Sequence, residues 1–436
     1  MSNQHPTAPS SNATLSDWLS YLEKLHPTEI ELGLDRIRAV ADSLDIDSQA
    51  VKFVVGGTNG KGSTCAMLEA ILLAAGWRVG MYTSPHLIDF NERARINGQS
   101  VADHDLIEAF ECVDKARGTT SLTYFEFTTL AILWILARES LDAWVLEVGL
   151  GGRLDAVNIV DADCAILTSI DIDHQAWLGD DREKIGWEKA HIFRKDRAAI
   201  CADPMPPESV LRYATDLGAD LWLFGRDFNY SGDRQQWAFA GRNGRRNALA
   251  YPALRGANQL LNASAALAAL ESVRAQIPVT QQAVRQGLLQ AALPGRFQIL
   301  PGQPIVILDV AHNPHAAAVL EKNLSNMGFH PYTYAVFGMM ADKDIDQVIK
   351  HLCKRIDHWY CVDLPGDRAM RGQALAQRVK DIVWTDLDDG ADKPDVRVYE
   401  SPAKAYEVAR QLATPDDRII VFGSFLTVAG VLQDLK

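Results

Sequence analysis

Val51-Lys-Phe-Val-Val-Gly-Gly-Thr-Asn-Gly-Lys-Gly-Ser63 passes from a β-branched apolar run, through a glycine-rich turn, into a helical pattern over 64–75 that Gly76 stops. Strand, loop and helix follow in the order that lets loop amides and a helix N-terminus face a phosphate. Lys61 adds a point charge, and Ser63 a hydroxyl able to ligate Mg²⁺. The common spacing would put its first glycine at position 55, which is Val55, so a bare motif match is weak. A glycine turn with a solvent-facing lysine is the competing reading. The strand before and the helix after favour a nucleotide triphosphate loop.

Working outward, apolar runs at 51–55, 79–82, 144–148, 165–169, 305–310, 334–337 and 419–422 alternate with amphipathic helical patterns. That alternation predicts an α/β protein with mainly parallel sheets. The Pro/Gly-bearing segment 293–304 breaks the pattern and sets the domain boundary. We expect a disordered tail over 1–14, a P-loop-type mainly parallel sheet domain over 15–296 and a smaller Rossmann-like α/β domain over 297–436. Within 227–255, Tyr230, Trp237 and Phe239 among Gly, Asp, Asn and Arg predict an appended antiparallel hairpin.

Composition bounds the function. The 436 residues are 47% hydrophobic and 23% charged, ordinary for a globular chain with a sizeable core and more than one domain. Lys and Arg number 43 against 56 Asp and Glu, a net charge of −13 that disfavours a coat for nucleic acid or anionic membrane. Small anions then need a local cationic pocket. Cys65, Cys112, Cys164, Cys201, Cys353 and Cys361 form no C-x-x-C pair, which fits reduced thiols in the cytoplasm. The N-terminus lacks a secretory pattern, and the longest apolar run, 130–137, falls far short of the roughly 20 residues of a membrane span.

Polar residues cluster at strand ends, where open α/β sheets bind ligands. Leu146-Glu-Val-Gly-Leu-Gly-Gly-Arg-Leu-Asp-Ala156 is no dinucleotide fingerprint, because the required glycine at 154 is Leu154. Glu147 is either a strand-end carboxylate for the nucleotide's metal or the ion-pair partner of an arginine such as Arg153. His174 stands beside Asp171 and Asp173 at another strand end. The helical stretch 183–194, with Lys184, Lys189 and Arg194, reads by itself as a solvated basic helix. In the second domain Asp309, His312 and Asn313 suit a ribose or phosphate, and equally suit a turn before Pro314.

Taken together, Gly57-Thr-Asn-Gly-Lys-Gly-Ser63, Thr83-Ser-Pro-His-Leu87, Phe125-Glu126, the 146–156 segment, Asp173-His174, Glu188-Lys-Ala190, Gly295-Arg-Phe297 and Asp309-Val-Ala-His-Asn-Pro314 resemble the folylpolyglutamate synthases of the Mur ligase superfamily. The match runs in order over nearly the whole chain and is nearest to the bacterial bifunctional branch. The resemblance implies an ATP- and Mg²⁺-dependent ligase that joins L-glutamate to dihydropteroate, and further glutamates to reduced folates, through an acyl phosphate. A ligase acting only on folates is the alternative.

The resemblance further implies that Gly60, Lys61, Gly62 and Ser63 cradle the phosphates, while Ser84, Glu147 and His174 hold Mg²⁺. Asn262, Arg296 and Asp309 match ATP positions, the last two across a domain cleft, and His312 is added as an ATP neighbour. Glu31, Leu32, Thr123, Tyr124, Phe125, Glu126, Leu154, Asp155 and Ala156 would meet the pterin-side substrate. Lys189 matches a lysine carried as N6-carboxylysine, and Lys61, Lys189 and His174 would form the catalytic set. A bare ammonium about 4 Å from a metal would be repelled by roughly 4 kcal/mol per pair of unit charges at a dielectric of 20. Carbamylation reverses that sign. His191 and Gln175 depart from the glycine and threonine usual in the family at those places, and Ser63 from the frequent threonine.

Two rivals follow. A peptidoglycan ligase shares the chemistry but places a substrate domain ahead of the loop, where only residues 1–60 stand here. A nucleotide-driven switch would not need Glu147, His174 and Lys189 around one metal. We expect small-molecule partners, no nucleic acid or membrane, and a monomer.

Overall fold

The computed structural model describes residues 7–10, 12–28, 30–233, 235–385 and 393–435. The chain divides into two compact units, one of Met1–Ala253 with Leu260–Ala291, the other of Leu254–Gln259 with Ala292–Lys436.

The first unit is built on strands β1 (Val51–Gly56), β2 (Val79–Tyr82), β3 (Ala94–Ile96), β4 (Gln99–Ser100), β5 (Ala143–Glu147), β6 (Cys164–Leu167), β7 (Ala198–Cys201) and β8 (Asp220–Leu223). Their order is β4-β3-β2-β5-β1-β6-β7-β8, with β2 through β8 parallel and β3 and β4 an antiparallel edge. Strand β1 is central, so Phe53, Val54 and Val55 are buried on both faces, as its unbroken apolar run requires. The chain reaches β5 on one side of β1 and then crosses to β6 on the other. That reversal opens a switch-point crevice at the carboxyl end of β1, where the glycine loop begins. The helices Lys61–Ala74 and Tyr124–Arg138 are apolar almost all round and lie buried in the core around this sheet.

Strands β9 (Asn229–Gly232), β10 (Trp237–Gly241) and β11 (Gly244–Leu249) form a separate antiparallel sheet that seats Trp237 and Phe239 inside. The expected hairpin thus has a third strand. Of the expected tail, residues 1–6 and 11 lie outside the described residues, while Thr14 caps the helix Leu15–Leu25.

The second unit holds β12 (Gln298–Leu300), β13 (Ile305–Asp309), β14 (Thr333–Phe337), β15 (His358–Val362), β16 (Asp395–Tyr399) and β17 (Arg418–Phe422). The order is β12-β13-β17-β14-β15-β16, antiparallel only at β12. Ile307, Phe337, Trp359 and Phe422 centre its core. The α/β expectation holds in both units. Among the described residues the six cysteines form no disulfide, and no helix is long and apolar enough to cross a membrane.

Candidate active site

The loop after β1 needs its glycines. Gly57 has φ +138° and Gly60 φ +91°, the latter capping the helix Lys61–Ala74. A Cβ on Gly60 would stand 2.6 Å from Asn262 Oδ1, so Asn262, on the helix Gln259–Ser272, lies directly against the loop. Lys61 curls back, its Nζ donating to the carbonyls of Gly57 at 3.1 Å and Thr58 at 3.2 Å. Gly62 and Ser63 are buried in the first helical turn. Gly60, Lys61, Gly62, Ser63 and Asn262 therefore stand together.

Sequence reasoning missed what holds this loop. The amide of Thr58 donates to Ser169 O at 2.6 Å, and its hydroxyl exchanges hydrogen bonds with both the N–H and the C=O of Asp171 at 3.0 Å. The carbonyl of Asn59 accepts from Thr168 Oγ1 at 2.7 Å and Ser169 Oγ at 3.0 Å, and the Asn59 amide donates to Ser169 Oγ at 3.1 Å. The signal was a Thr-Ser pair closing an apolar run, directly after Leu167, the strand partner of Gly56.

Strand β5 pairs in register with β1, placing Glu147 opposite Val55. Glu147 is buried and its Oε2 accepts the Ser84 amide at 3.3 Å. Arg153 forks onto Glu188 instead, with three bonds of 2.9–3.2 Å, which overturns the Arg153 reading of Glu147. Among the described residues no three His, Cys, Asp or Glu side chains converge as a metal cluster. Mg²⁺ binds through one or two carboxylates with water and phosphate oxygens, and the Glu147 carboxylate, with Ser84 next to it, suits that need. His174 has φ 53° and takes the left-handed position before the short helix Gln175–Leu178, its amide held by Asp173 Oδ1 at 2.7 Å.

Lys189 corrects the solvated-helix expectation. It is buried in the last turn of the helix Arg182–Ala190 and donates to Gly57 O at 3.1 Å, the carbonyl that Lys61 also reaches. Gly152 makes this possible, since a Cβ there would lie 2.6 Å from Glu188 O and push the 149–156 loop off the helix. Burial first, and the Lys61 charge second, push the Lys189 ammonium down to about 7, against the pull of Asp173 and Asp155.

On the pterin-side set, Thr123 and Glu126 form a capping box at the start of Tyr124–Arg138, with Thr123 N donating to Glu126 Oε2 at 2.8 Å and Glu126 N to Thr123 Oγ1 at 3.2 Å. Arg36 bridges Glu126, at 3.1 Å, to Glu31, whose other oxygen meets His26 at 2.9 Å. Leu32 is half-buried next to Glu31. Tyr124 lies under the Arg93 guanidinium at 5.7 Å, and Phe125 stacks on Tyr82 at 6.3 Å. Gly149 lets Phe125 approach, a Cβ there falling 2.4 Å from its ring. Asp155 is buried, accepts from Leu150 N at 2.8 Å and Val157 N at 3.0 Å, and is pushed up to about 6 by burial. Ala156 is buried after it, and Leu154 half-buried before it.

In the second unit Asp309 ends β13. Its carboxylate accepts from Phe297 N at 2.9 Å and Ala311 N at 2.8 Å, and burial pushes it up to about 6 although the Arg296 charge opposes. Arg296 lies 5.0 Å over the ring of Phe425, which His312 also approaches at 6.2 Å. Asp309, Arg296 and His312 thus gather, with Phe425 as a member the sequence did not disclose. Asn313 caps the helix Pro314–Ser325, accepting from Ala316 N at 2.9 Å, so the turn-forming reading applies to it.

Two family models match the chain. Residues 55–270 match the Mur ligase middle domain and residues 295–425 the Mur ligase, glutamate ligase domain. The chain is 43% identical over 426 residues to the dihydrofolate synthase/folylpolyglutamate synthase of Escherichia coli strain K12, covering 98% of this chain and 96% of that one. It is similar to the structure of E. coli FolC in complex with DHPP and ADP, with a TM-score of 0.91 at 42% identity, covering 98% of this chain and 99% of that one. A bifunctional folylpolyglutamate synthase/dihydrofolate synthase with Mn, AMPPNP and L-glutamate bound matches with a TM-score of 0.89 at 43% identity, covering 98% and 100%.

Proposed function

Because the chain belongs to the Mur ligase family, among the dihydrofolate synthase/folylpolyglutamate synthases, we infer that it is an ATP-dependent, ADP-forming ligase that adds L-glutamate to 7,8-dihydropteroate and further glutamates to reduced folates. The observation that carries this is full-length likeness to relatives of that one activity, joined to a braced glycine loop on which two lysines converge.

The acceptor's carboxylate oxygen attacks the γ-phosphorus of ATP, giving an acyl phosphate and ADP. The glutamate nitrogen then attacks the acyl carbon, loses a proton, and phosphate leaves as the amide forms. Two anions must approach each other in the first step, so neutralisation and alignment dominate the barrier. Lys61 supplies fixed positive charge at the loop, and the Gly60 to Ser63 backbone offers amides at a helix N-terminus. Ser84, Glu147 and His174 would hold Mg²⁺, which would supply positive charge against the carboxylate and the triphosphate. Asn262, Arg296, Asp309 and His312 are assigned to ATP. Glu31, Leu32, Thr123 to Glu126, and Leu154 to Ala156 are assigned to the pterin-side substrate, the buried members through the local structure they fix.

Lys189 is assigned as N6-carboxylysine. An amine held near 7 keeps a substantial neutral fraction at physiological pH, and its lone pair can add to CO₂ with release of a proton. The product is an anion beside the phosphate loop in place of a second cation. The division at 296/297 is retained as the boundary between ATP-binding and C-terminal ligase domains, and the protein is assigned to the cytoplasm as a monomer.

The test is ADP release in the presence of ATP and Mg²⁺. Release should require L-glutamate together with dihydropteroate or a reduced folate. Release with folates alone would leave the folate-only ligase, and release without any acceptor would favour the nucleotide switch.

A further inference from the structure

We propose that the hydroxyls of Thr168 and Ser169 are positioning residues for ATP, locking the Asn59–Gly60 peptide in the orientation that a triphosphate requires. The inference rests on the ATP-dependent reading above. In a trans peptide the C=O and the following N–H point in opposite directions. Thr168 Oγ1 and Ser169 Oγ both donate to Asn59 O, at 2.7 Å and 3.0 Å, filling the two acceptor positions of that carbonyl from the β6 side. The Gly60 N–H, on the same plane, is thereby turned away from β6.

The alternative is a flipped plane. Rotating it by about 180° would take Gly60 from φ +91° to the negative side, which glycine occupies equally well. Nothing in the glycine itself prevents the flip, and a flipped carbonyl would face the phosphates with partial negative charge. The hydroxyl pair selects between two states that the backbone alone leaves close in energy. Ser169 adds a second latch, because the same oxygen accepts the Asn59 amide at 3.1 Å. Thr168 reaches its place only because Gly57 lacks a side chain, since a Cβ there would lie 1.9 Å from Thr168 Oγ1.

The brace is itself anchored from the far side. Asp203 Oδ2 accepts the Ile170 amide at 2.7 Å, and Arg182 Nε donates to the Ile170 carbonyl at 2.9 Å while its Nη2 meets Asp203 at 3.2 Å. Arg182 opens the helix that carries Lys189. The segment after β6 therefore ties the phosphate loop to the helix of the buried lysine.

Thr168→Val keeps the β-branched shape and removes the hydroxyl. It leaves Gly56 O still satisfied by the Thr168 amide at 3.0 Å and Asn59 O by Ser169, so no carbonyl is orphaned. The experiment measures the ATP dissociation constant by calorimetry on the full chain with Mg²⁺, alongside kcat and both KM values. We expect ATP to bind about fivefold more weakly to Thr168→Val and about thirtyfold more weakly to the double variant with Ser169→Ala, each bond contributing about 1 kcal/mol. The KM for L-glutamate should stay unchanged, and Thr168→Ser should remain within about twofold of wild type. A purely structural role would lower the melting temperature and the active fraction with the KM for ATP unmoved, and that result overturns the proposal, as does wild-type ATP affinity in the double variant. Should Thr168→Val fail to fold, Ser169→Ala alone decides: an unchanged ATP affinity rejects the lock, and about a fivefold loss supports it. Absence of ATP binding by the wild-type protein would instead remove the ligase reading itself.

Discussion

The loops that follow β1 and β13 both leave the carboxyl end of a parallel strand, yet they are held in opposite ways. The first keeps its backbone in place chiefly with side chains from elsewhere, Thr168, Ser169 and Lys189, joined by its own Lys61, and their bonds go to loop carbonyls and one amide. The second holds itself, with Asp309 binding the amides of Phe297 and Ala311 and Asn313 capping its own helix. Phe297 sits at φ 42°, an uncommon place for a bulky residue, and the Asp309 bond to its amide helps keep it there. The lesson concerns charge. The first loop is neutralised by lysines sunk into it, whereas the second presents Arg296 and His312 against Phe425 beside a carboxylate already engaged.

The sharpest way to break this contrast is Lys61→Ala. If the charge on the first loop serves phosphoryl transfer, kcat/KM should fall by about a hundredfold or more while the melting temperature holds, because the buried Gly57 carbonyl keeps its bond from Lys189 and Thr58 is only half-buried. A loss of under about tenfold would place the neutralising charge elsewhere. Lys189→Ala comes next. Acetate or another small carboxylate should restore part of the lost turnover if an anion stands there in the working enzyme. Near-normal turnover without additive would show that the buried amine is only a strut under Gly57.

A smaller effect separates the two buried carboxylates from ordinary ones. Asp155 and Asp309 are both raised to about 6 from 3.8. Between those values the native state keeps a proton that the unfolded chain has released, so each makes stability fall as pH rises from about 4 to 6, by at most about 1.4 kcal/mol per pH unit. For Asp155→Asn the gap to wild type should move in the variant's favour as pH rises from 4 to 7, measured by urea unfolding. A gap constant over that range would mean Asp155 is already ionised throughout. Lys189 acts the other way: its lowered value makes the native state release a proton that the unfolded chain keeps, so its contribution to stability rises with pH above about 7.

Much of this was legible. The runs at 51–55 and 79–82 fall within or coincide with β1 and β2, because strands buried on both faces are apolar without interruption. Strands β8 and β16 escaped notice because edge strands such as Asp220–Leu223 and Asp395–Tyr399 carry half-exposed polar residues that erase the pattern. Glu147 was placed at its strand end correctly, but its relation to Arg153 was not decidable, since the pairing of Arg153 with Glu188 joins positions 35 residues apart. The burial of Lys189 was hidden for a similar reason. A stretch bearing Lys184, Lys189 and Arg194 has an exposed composition, but the helix ends at Ala190, before Arg194, and the packing of Gly152 on its last turn sinks Lys189. Thr168 and Ser169 lacked any charge to draw attention, although two hydroxyls ending an apolar strand beside a glycine loop are suited to hold its carbonyls.

The finest test of the comparison is Asn313, the residue on which chemistry and turn formation were evenly matched. Its side chain accepts the Ala316 amide at 2.9 Å, Pro314 occupies the first helical position, and the residue is only 2% exposed. A cap of this kind contributes about 1 kcal/mol, because removing it leaves an orphan amide at the helix start. Asn313→Ala should therefore lower the unfolding free energy by about 1 kcal/mol, and Asn313→Asp should recover most of it, since a carboxylate accepts the same amide and favours a helix N-terminus. The KM for ATP should change less than about twofold in either variant if the second loop holds itself and leaves recognition to Arg296 and His312. If the alanine variant instead loses ATP affinity about tenfold at unchanged stability, the side chain reaches the nucleotide, and the second loop recruits its own polar groups where the first relies on those of its neighbours.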